Sequence, residues 1–323
     1  MCIRDSCCPP QRTMSNKTRV GVIGVGYLGR FHALIYSRMS EVELVGVTDA
    51  DSARAGAVAA EAGTRALDAG QMLGEVDAVS IVVPTSEHLR VARPFLEKGV
   101  HTMMEKPIAH TLGEGREIIE LAATHGATLQ IGHLERFNAG VMALAERIER
   151  PMFIEAQRMG GFKARATDVD VISDLMIHDI DIVLALVKSE IRHISASGTP
   201  VITNHIDIAN ARLEFASGAV ANVTASRVSR EDSRRIRVFE PHRYQSLDFI
   251  GQRLETARAQ TRPDSEWPEI VSETIDIQPV KPLDAELASF IRCVREGVTP
   301  LVDGRVGLEA LDVALRIKEK IES

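Results

Sequence analysis

The 323-residue sequence lacks several features that would restrict its class. No apolar run approaches the roughly 18–20 residues that a membrane helix needs. No extended block of Lys or Arg occurs, and the net charge of -7 at pH 7 gives no reason to expect nucleic acid as a partner. We therefore expect a protein that acts without a membrane or a nucleic-acid partner.

Cysteine is also scarce. Three of the four cysteines lie in the first eight residues, and only Cys293 lies in the body of the chain. No disulfide framework is indicated, which predicts a reducing, cytoplasmic location. Residues 1–13 (MCIRDSCCPPQRT) show no helical or strand period. We expect them to be a non-native or disordered leader before a native start at Met14. The alternative is a metal or acylation site at Cys7 and Cys8.

The stretch from Thr18 to Arg30 (TRVGVIGVGYLGR) is an apolar strand, a glycine motif and a helix start. In Gly-x-Gly-x-x-Gly, the first glycine allows a tight turn, the second lets a pyrophosphate approach the backbone, and the third lets the helix pack on the strand. The N–H groups of the helix N-terminus attract phosphates. The predicted cofactor-binding positions are Gly24, Gly26, Tyr27, Leu28 and Gly29.

A second apolar strand, Val42 to Val47, leads to Asp49, which lies 20 residues after Gly29. An acidic side chain at this distance accepts hydrogen bonds from the adenosine ribose hydroxyls. Because its charge repels a 2′-phosphate, we predict NAD rather than NADP, although Arg54 nearby offers a partner for a phosphate. The alternative is an ordinary βαβ unit whose glycines serve packing only.

The pattern of elements predicts two domains. Apolar strands alternate with helices as far as Ile131, which predicts a parallel, doubly wound sheet. From Ile191 to about Ile277 the chain reads as short strands with hairpin-like turns, which predicts an α+β unit with one open, mainly antiparallel sheet. We expect a dinucleotide-binding domain over residues 14–135 and an α+β domain over residues 136–323.

Lys106 is the first candidate for chemistry, because it follows the predicted strand Val100 to Met104, at the end where open α/β sheets bind ligands. Pro107 biases the lysine backbone toward an extended conformation. Beside a cationic nicotinamide, like-charge repulsion and partial desolvation should lower the pKa of the lysine, which then exchanges a proton with a substrate hydroxyl. The alternative is a surface lysine at a strand end.

Asp174 and His178 are the second candidates, on a helix predicted from Asp174 to Val187. Positions i and i+4 share one helix face, so the carboxylate should orient the imidazole and raise its pKa. The alternatives are a helix cap at Asp174 and a core histidine at His178. His178-x-x-Asp181 suggests a metal site, but no second histidine has ligand spacing, so we predict none.

Arginines are frequent in the predicted strands of the second domain, and their planar forks suit diphosphates or carboxylates. The alternative for each is a solvated strand face or a subunit contact. These arginines are Arg227, Arg230, Arg234, Arg235, Arg237 and Arg243.

The glycine motif, Glu105-Lys106-Pro107 and Asp174-x-x-x-His178, in this order, resemble the glucose–fructose oxidoreductase / inositol dehydrogenase (Gfo/Idh/MocA) family. The resemblance runs from about Thr18 to the C-terminus. It implies an N-terminal Rossmann domain, a second domain whose open sheet forms homodimers or homotetramers, and hydride transfer between a sugar carbon and NAD.

The resemblance also implies residue roles. Lys106 would bridge the reacting hydroxyl and the cofactor ribose, and Glu105 would hold the nicotinamide end. His178 would act as general acid/base, and Asp174 would position the substrate. Further cofactor-binding residues implied in the loop after the fourth strand are Pro84, Thr85 and His88.

Within the family, the runs His133 to Asn138 and Asp174 to Asp181 are similar to members that act on UDP-N-acetylhexosamines. This implies NAD-dependent oxidation of the 3-hydroxyl, with UDP-N-acetylglucosamine as expected substrate, feeding amino-sugar synthesis for lipid A or surface polysaccharide. Ala139 departs from the proline usual in such members. The alternatives are a dehydrogenase of a free sugar or cyclitol, and a redox-silent NAD-binding regulator. The implied substrate-binding residues are Lys106, His133, Arg136, Asn138, Asp174 and His178.

Overall fold

The computed structural model describes residues 17–163, 169–278 and 280–323. The predicted leader, residues 1–13, lies outside the described residues. The N-terminal elements are β1 (Thr18–Ile23), α1 (Tyr27–Tyr36), β2 (Val42–Thr48), α2 (Ser52–Ala62), β3 (Arg65–Ala66), α3 (Ala69–Leu73), β4 (Ala78–Ile81), α4 (His88–Leu96), β5 (His101–Glu105), α5 (Leu112–Thr124) and β6 (Leu129–Gly132).

The first six strands form a parallel sheet in the order β3-β2-β1-β4-β5-β6. Every residue of the central strand β4 is buried, as expected for a parallel strand covered on both faces. Two separate apolar clusters lie against the sheet, one with α1 and α2 and the other with α4 and α5. The predicted doubly wound fold is thus confirmed.

The C-terminal elements are α6 (Ala139–Ala145), β7 (Phe153–Met159), α7 (Ile177–Val187), β8 (Ile191–Thr199), β9 (Ile208–Phe215), β10 (Val220–Ser226), β11 (Ser233–Glu240), β12 (Arg243–Asp248), β13 (Arg253–Gln260), β14 (Glu269–Asp276), α8 (Pro282–Glu296) and α9 (Gly304–Glu322). Eight strands form one open sheet in the order β14-β13-β12-β11-β7-β10-β9-β8. Within this sheet, β7 and β10 are the one parallel pair among the described strands, so the predicted mainly antiparallel sheet is confirmed.

The last two helices return to the first sheet. Leu287 and Phe290 of α8 pack with Val20 of β1, and Leu311 of α9 packs with Ile131 of β6. The other face of α9 packs on the open sheet with α7. The chain therefore crosses between the two sheets twice, and the boundary predicted near residue 135 stays a prediction.

No helix in the described part of the chain is long and apolar enough to cross a membrane.

Candidate active site

The glycine motif forms the turn between β1 and α1. Gly24 has a φ of 83°, and a Cβ on Gly29 would lie 1.9 Å from the carbonyl oxygen of Gly24. A Cβ on Gly26, in contrast, would meet no protein atom within 4 Å. The backbone itself therefore requires glycine at positions 24 and 29, whereas Gly26 faces open space that suits a phosphate.

The N-terminus of α1 adjoins that space. Tyr27 and Leu28 occupy its first turn. The N-cap residue is Gly26, which has no side chain to cap the helix. The first N–H groups of a helix have no intrahelical partner, so these positions can donate to an anion.

A groove of about 840 Å³ opens beside this turn, and its lining includes Gly24, Gly26, Asp49 and Pro84. It lies where β1 has β2 on one side and β4 on the other, which is the switch point of the sheet. Open α/β sheets bind their ligands at this point, and the volume suits a cofactor. The residues present therefore fit a dinucleotide.

Asp49 is anchored at the edge of this groove. One oxygen of its carboxylate accepts a hydrogen bond from the N–H of Val25 at 2.8 Å, and the other lies 3.4 Å from the guanidinium of Arg54. The carboxylate is thus beside the glycine turn, where the sequence predicts the ribose.

The loop after β4 meets the groove at Pro84 and continues into a 3-10 turn, Thr85–Glu87. His88 follows it and is buried, with Nε2 3.1 Å from the carbonyl oxygen of Val83 and Nδ1 3.2 Å from that of Ile108. Burial lowers the pKa of His88, and a neutral imidazole donates only one of these bonds. The ring thus holds the loop, and its contact with a cofactor stays a prediction.

Lys106 follows the last residue of β5 and reaches the second half of the chain. Its Nζ donates to the carbonyl oxygen of Asp174 at 2.7 Å and lies 3.7 Å from the carboxylate of the same residue. Burial lowers the pKa of Lys106, against the opposing charges of Asp174 and Glu105. The lowering of the lysine pKa agrees with the expectation from the sequence. Part of its cause, desolvation, is present before any cofactor binds.

Asp174 lies in a π-helical turn, Ile172–Met176, and α7 is α-helical only from Ile177. The predicted helix from Asp174 to Val187 is thus present, but its first turn is π-helical rather than α-helical, so the expected i, i+4 geometry does not hold there. No hydrogen bond or ion pair of the described structure joins Asp174 to His178, since Asp174 faces Lys106 instead.

His178 differs from expectation in its electrostatics. The predicted rise in its pKa is wrong: burial, and then the positive charges of Lys106 and Arg158, lower the pKa well below its usual range. Its buried Nδ1 has no hydrogen-bond partner among the described residues. His178 is consequently neutral at pH 7 and able to accept a proton.

The run from His133 to Asn138 follows β6 and contains further predicted substrate-binding residues. Burial first, and then the charges of Lys106 and Arg136, lower the pKa of His133 to about 3. Arg136 donates to Asp181 at 3.2 Å, so Asp181 is engaged in an ion pair. Asn138 caps α6 by accepting from the N–H of Gly140. Substrate contacts of these residues stay predictions.

A buried ion network connects these elements. Arg158 of β7 makes two hydrogen bonds of 2.9 Å to Asp179 of α7 and one of 2.8 Å to Glu135. These carboxylates raise the pKa of Arg158 despite its burial. Glu135 follows β6, so the network joins the end of the first sheet to the strand and helix of the second.

The arginine-rich strands have mixed roles. Arg227 pairs with buried Asp207 at 2.9 Å, and Arg237 pairs with Glu155 at 2.5 Å. Arg235 and Arg243 also lie within 4.0 Å of carboxylates. Arg234 lines a small pocket together with Asp174, Arg158 and Lys163. Structural pairing thus explains four of the six, and Arg234 remains the best placed for an anionic ligand.

Comparison with known families fits this arrangement. The Gfo/Idh/MocA model described as "Oxidoreductase family, NAD-binding Rossmann fold" matches residues 18–133, and the "GFO/IDH/MocA C-terminal domain" matches residues 147–240. The chain belongs to the Gfo/Idh/MocA oxidoreductase family. This confirms the predicted family, and NAD agrees with the family's described cofactor.

Three relatives are informative. UDP-N-acetylglucosamine 3-dehydrogenase from Acidithiobacillus ferrooxidans is 38% identical over 94% of this chain and 97% of its own. Its solved structure has a TM-score of 0.89 and covers 95% of this chain and 98% of that one. The scyllo-inositol 2-dehydrogenase (NAD(+)) of Bacillus subtilis is 29% identical, with 92% of each chain covered. Levoglucosan dehydrogenase in complex with NADH, 18% identical over 95% of this chain and 97% of its own with a TM-score of 0.84, shares the fold.

Sequence reasoning missed the Arg158 network. Burial in β7 alternates, and Arg158 occupies one of the inward positions with Ile154 and Ala156. A charged residue at an inward position of a strand requires a buried partner. An inward arginine therefore predicts a buried carboxylate partner, which the structure of this Gfo/Idh/MocA chain identifies as Asp179.

Gly26→Ala should separate folding from cofactor binding. The added methyl group meets no protein atom, so the melting temperature should stay within about 2 °C, while the Kd for NADH should rise at least about tenfold because the methyl occupies the phosphate space. Fluorescence titration and thermal unfolding measure the two effects.

Gly56→Ala is the matched control, because Gly56 also faces open space but lies in α2, away from the groove lining. It should leave the Kd for NADH unchanged. Equal NADH binding by the Gly26→Ala variant and the wild type would contradict the placement of the pyrophosphate.

Proposed function

We propose that this protein oxidises the 3-hydroxyl of a UDP-N-acetylhexosamine, with UDP-N-acetylglucosamine as expected substrate, to a 3-keto sugar with NAD. The observation that carries the proposal is the 2.7 Å bond from Lys106 to Asp174, which brings the end of β5 to the π-helical turn that precedes His178. The 38% identity to the A. ferrooxidans enzyme over nearly the whole chain supports the sugar class.

The glycine turn, Asp49 and the loop at Pro84 would hold NAD, which would supply the hydride acceptor when bound. Removing a hydride from a carbinol carbon requires loss of the hydroxyl proton as well. His178 is neutral at pH 7, so we assign to it the acceptance of that proton. The ammonium of Lys106 donates to the hydroxyl oxygen, and Asp174 holds both the lysine and the sugar.

The charge around the site favours this division of roles. Lys106 and Arg158 oppose a further positive charge on His178, so a proton taken from the substrate leaves the imidazole readily. The same positive charges stabilise negative charge that develops on the hydroxyl oxygen. Burial of Lys106 strengthens this interaction because little water screens it.

We assign the diphosphate of the substrate to the small pocket next to Asp174. Arg234 and Lys163 line the small pocket there, and both side chains are exposed. An arginine fork binds phosphate oxygens bidentately, and a lysine adds a point charge. This arrangement supports a nucleotide sugar over a neutral free sugar.

The direct test is oxidation of UDP-N-acetylglucosamine with NAD, followed at 340 nm with a carbonyl trap that removes the ketone. We expect NADH formation and a 3-keto product with this substrate, and at least about tenfold lower kcat/KM with myo-inositol or glucose. Turnover of inositol alone would instead support a cyclitol dehydrogenase, which the B. subtilis relative represents. NADH binding without any turnover would support a redox-silent regulator.

Lys106→Ala should lower kcat by about 10²–10⁴-fold, because it removes the ammonium that polarises the hydroxyl. The Kd for NADH should change by less than about threefold, since the glycine turn and Asp49 remain. Lys98→Ala is the control, because Lys98 is exposed at the end of α4 and lines neither site pocket. Turnover above about a tenth of wild type in Lys106→Ala would refute this role.

The pH profile tests His178. A base with a lowered pKa stays neutral at pH values below the usual 6.5, so the acid limb of kcat for oxidation should lie below pH 6.5. The limb should disappear in His178→Asn, whose residual rate should not depend on pH in that range. A limb centred at or above pH 6.5 in the wild type would show that His178 is not the base.

The product class, location and assembly follow as proposals. A 3-keto sugar is a substrate for an aminotransferase, which supports a role in amino-sugar synthesis for lipid A or surface polysaccharide.

The buried free thiol of Cys293 suits a reducing cytoplasm. One face of the open sheet packs on α7 and α9, whereas Asn210 and Arg212 of β9 are exposed on the other, which supports a homodimer or homotetramer through that face.

A further inference from the structure

A group of polar side chains lies buried against the parallel sheet, on the side of α1 and α8, and the proposed mechanism does not use it. All five members have 0% relative exposure. Buried polar groups are costly unless they are paired, so a cluster of this size calls for an explanation beyond packing. The members are His32, Tyr36, Ser80, Gln130 and Glu286.

Glu286 is the most unusual member. Neither of its carboxyl oxygens makes a hydrogen bond to any described residue, although Gln130 donates to its backbone carbonyl at 3.1 Å. Burial first, and then the negative charge of Glu105, raises the pKa of Glu286 well above its usual range. An ionised carboxylate is too costly in such surroundings, so Glu286 is a neutral acid with one O–H to donate.

The cluster reaches the active site through one residue. The ring of His32 has Nδ1 3.2 Å from the hydroxyl of Ser80 and Nε2 3.4 Å from the carboxylate of Glu105. Tyr36 completes this chain with a 2.9 Å bond to the same Ser80 hydroxyl. Glu105, which precedes Lys106, is therefore the residue through which the buried group contacts the site.

The carboxylate of Glu105 has little room to move. Glu105 pairs with Gly132 of β6, and a Cβ at Gly132 would lie 3.0 Å from both carboxylate oxygens. His32 lies on another side of the same group at 3.4 Å. Its orientation is thus set by residues that do not themselves line the groove.

We propose that Glu286 is a positioning residue for the cofactor: its buried carboxyl group completes the polar cluster that holds Glu105, the residue expected at the nicotinamide end. The inference rests on the proposed function and on the place at the nicotinamide end that the family resemblance implies for Glu105. Two ionised carboxylates here would repel each other, so the proton on Glu286 leaves a single negative charge, on Glu105, facing the cationic nicotinamide.

Three variants test this. Glu286→Gln keeps the shape and a donor, Glu286→Met fills a similar volume without one, and Ile291→Ala removes packing from the same helix, where Ile291 is buried in the apolar cluster. NADH binding is measured by fluorescence titration without sugar, so the result does not depend on substrate. Wild-type protein that fails to bind NADH would contradict the proposed function itself rather than the role of Glu286.

We expect the Kd for NADH to stay within about threefold of wild type in Glu286→Gln and to rise about tenfold in Glu286→Met. Ile291→Ala should lower the melting temperature and leave this Kd unchanged. Wild-type affinity in Glu286→Met would overturn the proposal, because the residue would then only fill space. An equal loss in Glu286→Gln and Glu286→Met would also overturn it, because the ionised form would then be needed.

The pH dependence of stability provides a second readout. The groups that interact with Glu286 are Glu105 from β5 and Tyr36 from α1, through their charges, and Gln130 from β6, through the backbone carbonyl. A raised pKa means that the contribution of Glu286 to stability is complete below its usual value of 4.5 and is lost as the pH rises. Because glutamine does not titrate, the melting temperature of the wild type relative to Glu286→Gln should fall as the pH rises above about 4.5. A constant difference would contradict a neutral acid at this position.

Discussion

The position of the candidate catalytic groups depends on one buried arginine. Arg158 reaches inward from β7 and is neutralised by Asp179 and Glu135, which come from α7 and from the segment after β6. Removing one partner of such a buried pair costs about 3–5 kcal/mol, because an uncompensated charge remains. The network therefore fixes the start of α7, and with it His178, relative to the parallel sheet.

The same constraint explains the electrostatics of the site. The charge of Arg158 contributes to keeping His178 neutral, while its partners keep the arginine itself charged. Lys106 then joins the two halves directly, through the carbonyl oxygen of Asp174 in the π-turn. Lys106 thus lies between the place of the cofactor and the place of the sugar, and its surroundings lower its pKa.

Much of this architecture is readable from the sequence because local rules determine it. The glycine turn needs glycine at positions 24 and 29 for its own backbone, and period-2 burial in β7 follows from its sequence. The π-helical turn is not readable from the sequence, because tertiary contacts such as the bond from Lys106 to Asp174 decide between α and π geometry. The lowered pKa of His178 is not readable from the sequence either, because it comes first from burial and then from the charges of Lys106 and Arg158, which only the fold brings close.

Transfer of the hydrogen from the sugar carbon is the most direct test of the central claim. UDP-N-acetylglucosamine labelled with deuterium at C3 would be incubated with the enzyme and NAD, and the NADH formed would be analysed by mass spectrometry and NMR. The account predicts one deuterium at C4 of the nicotinamide and none in the keto sugar at C3. NADH without the label, or label transfer only from a sugar deuterated at another carbon, would contradict it.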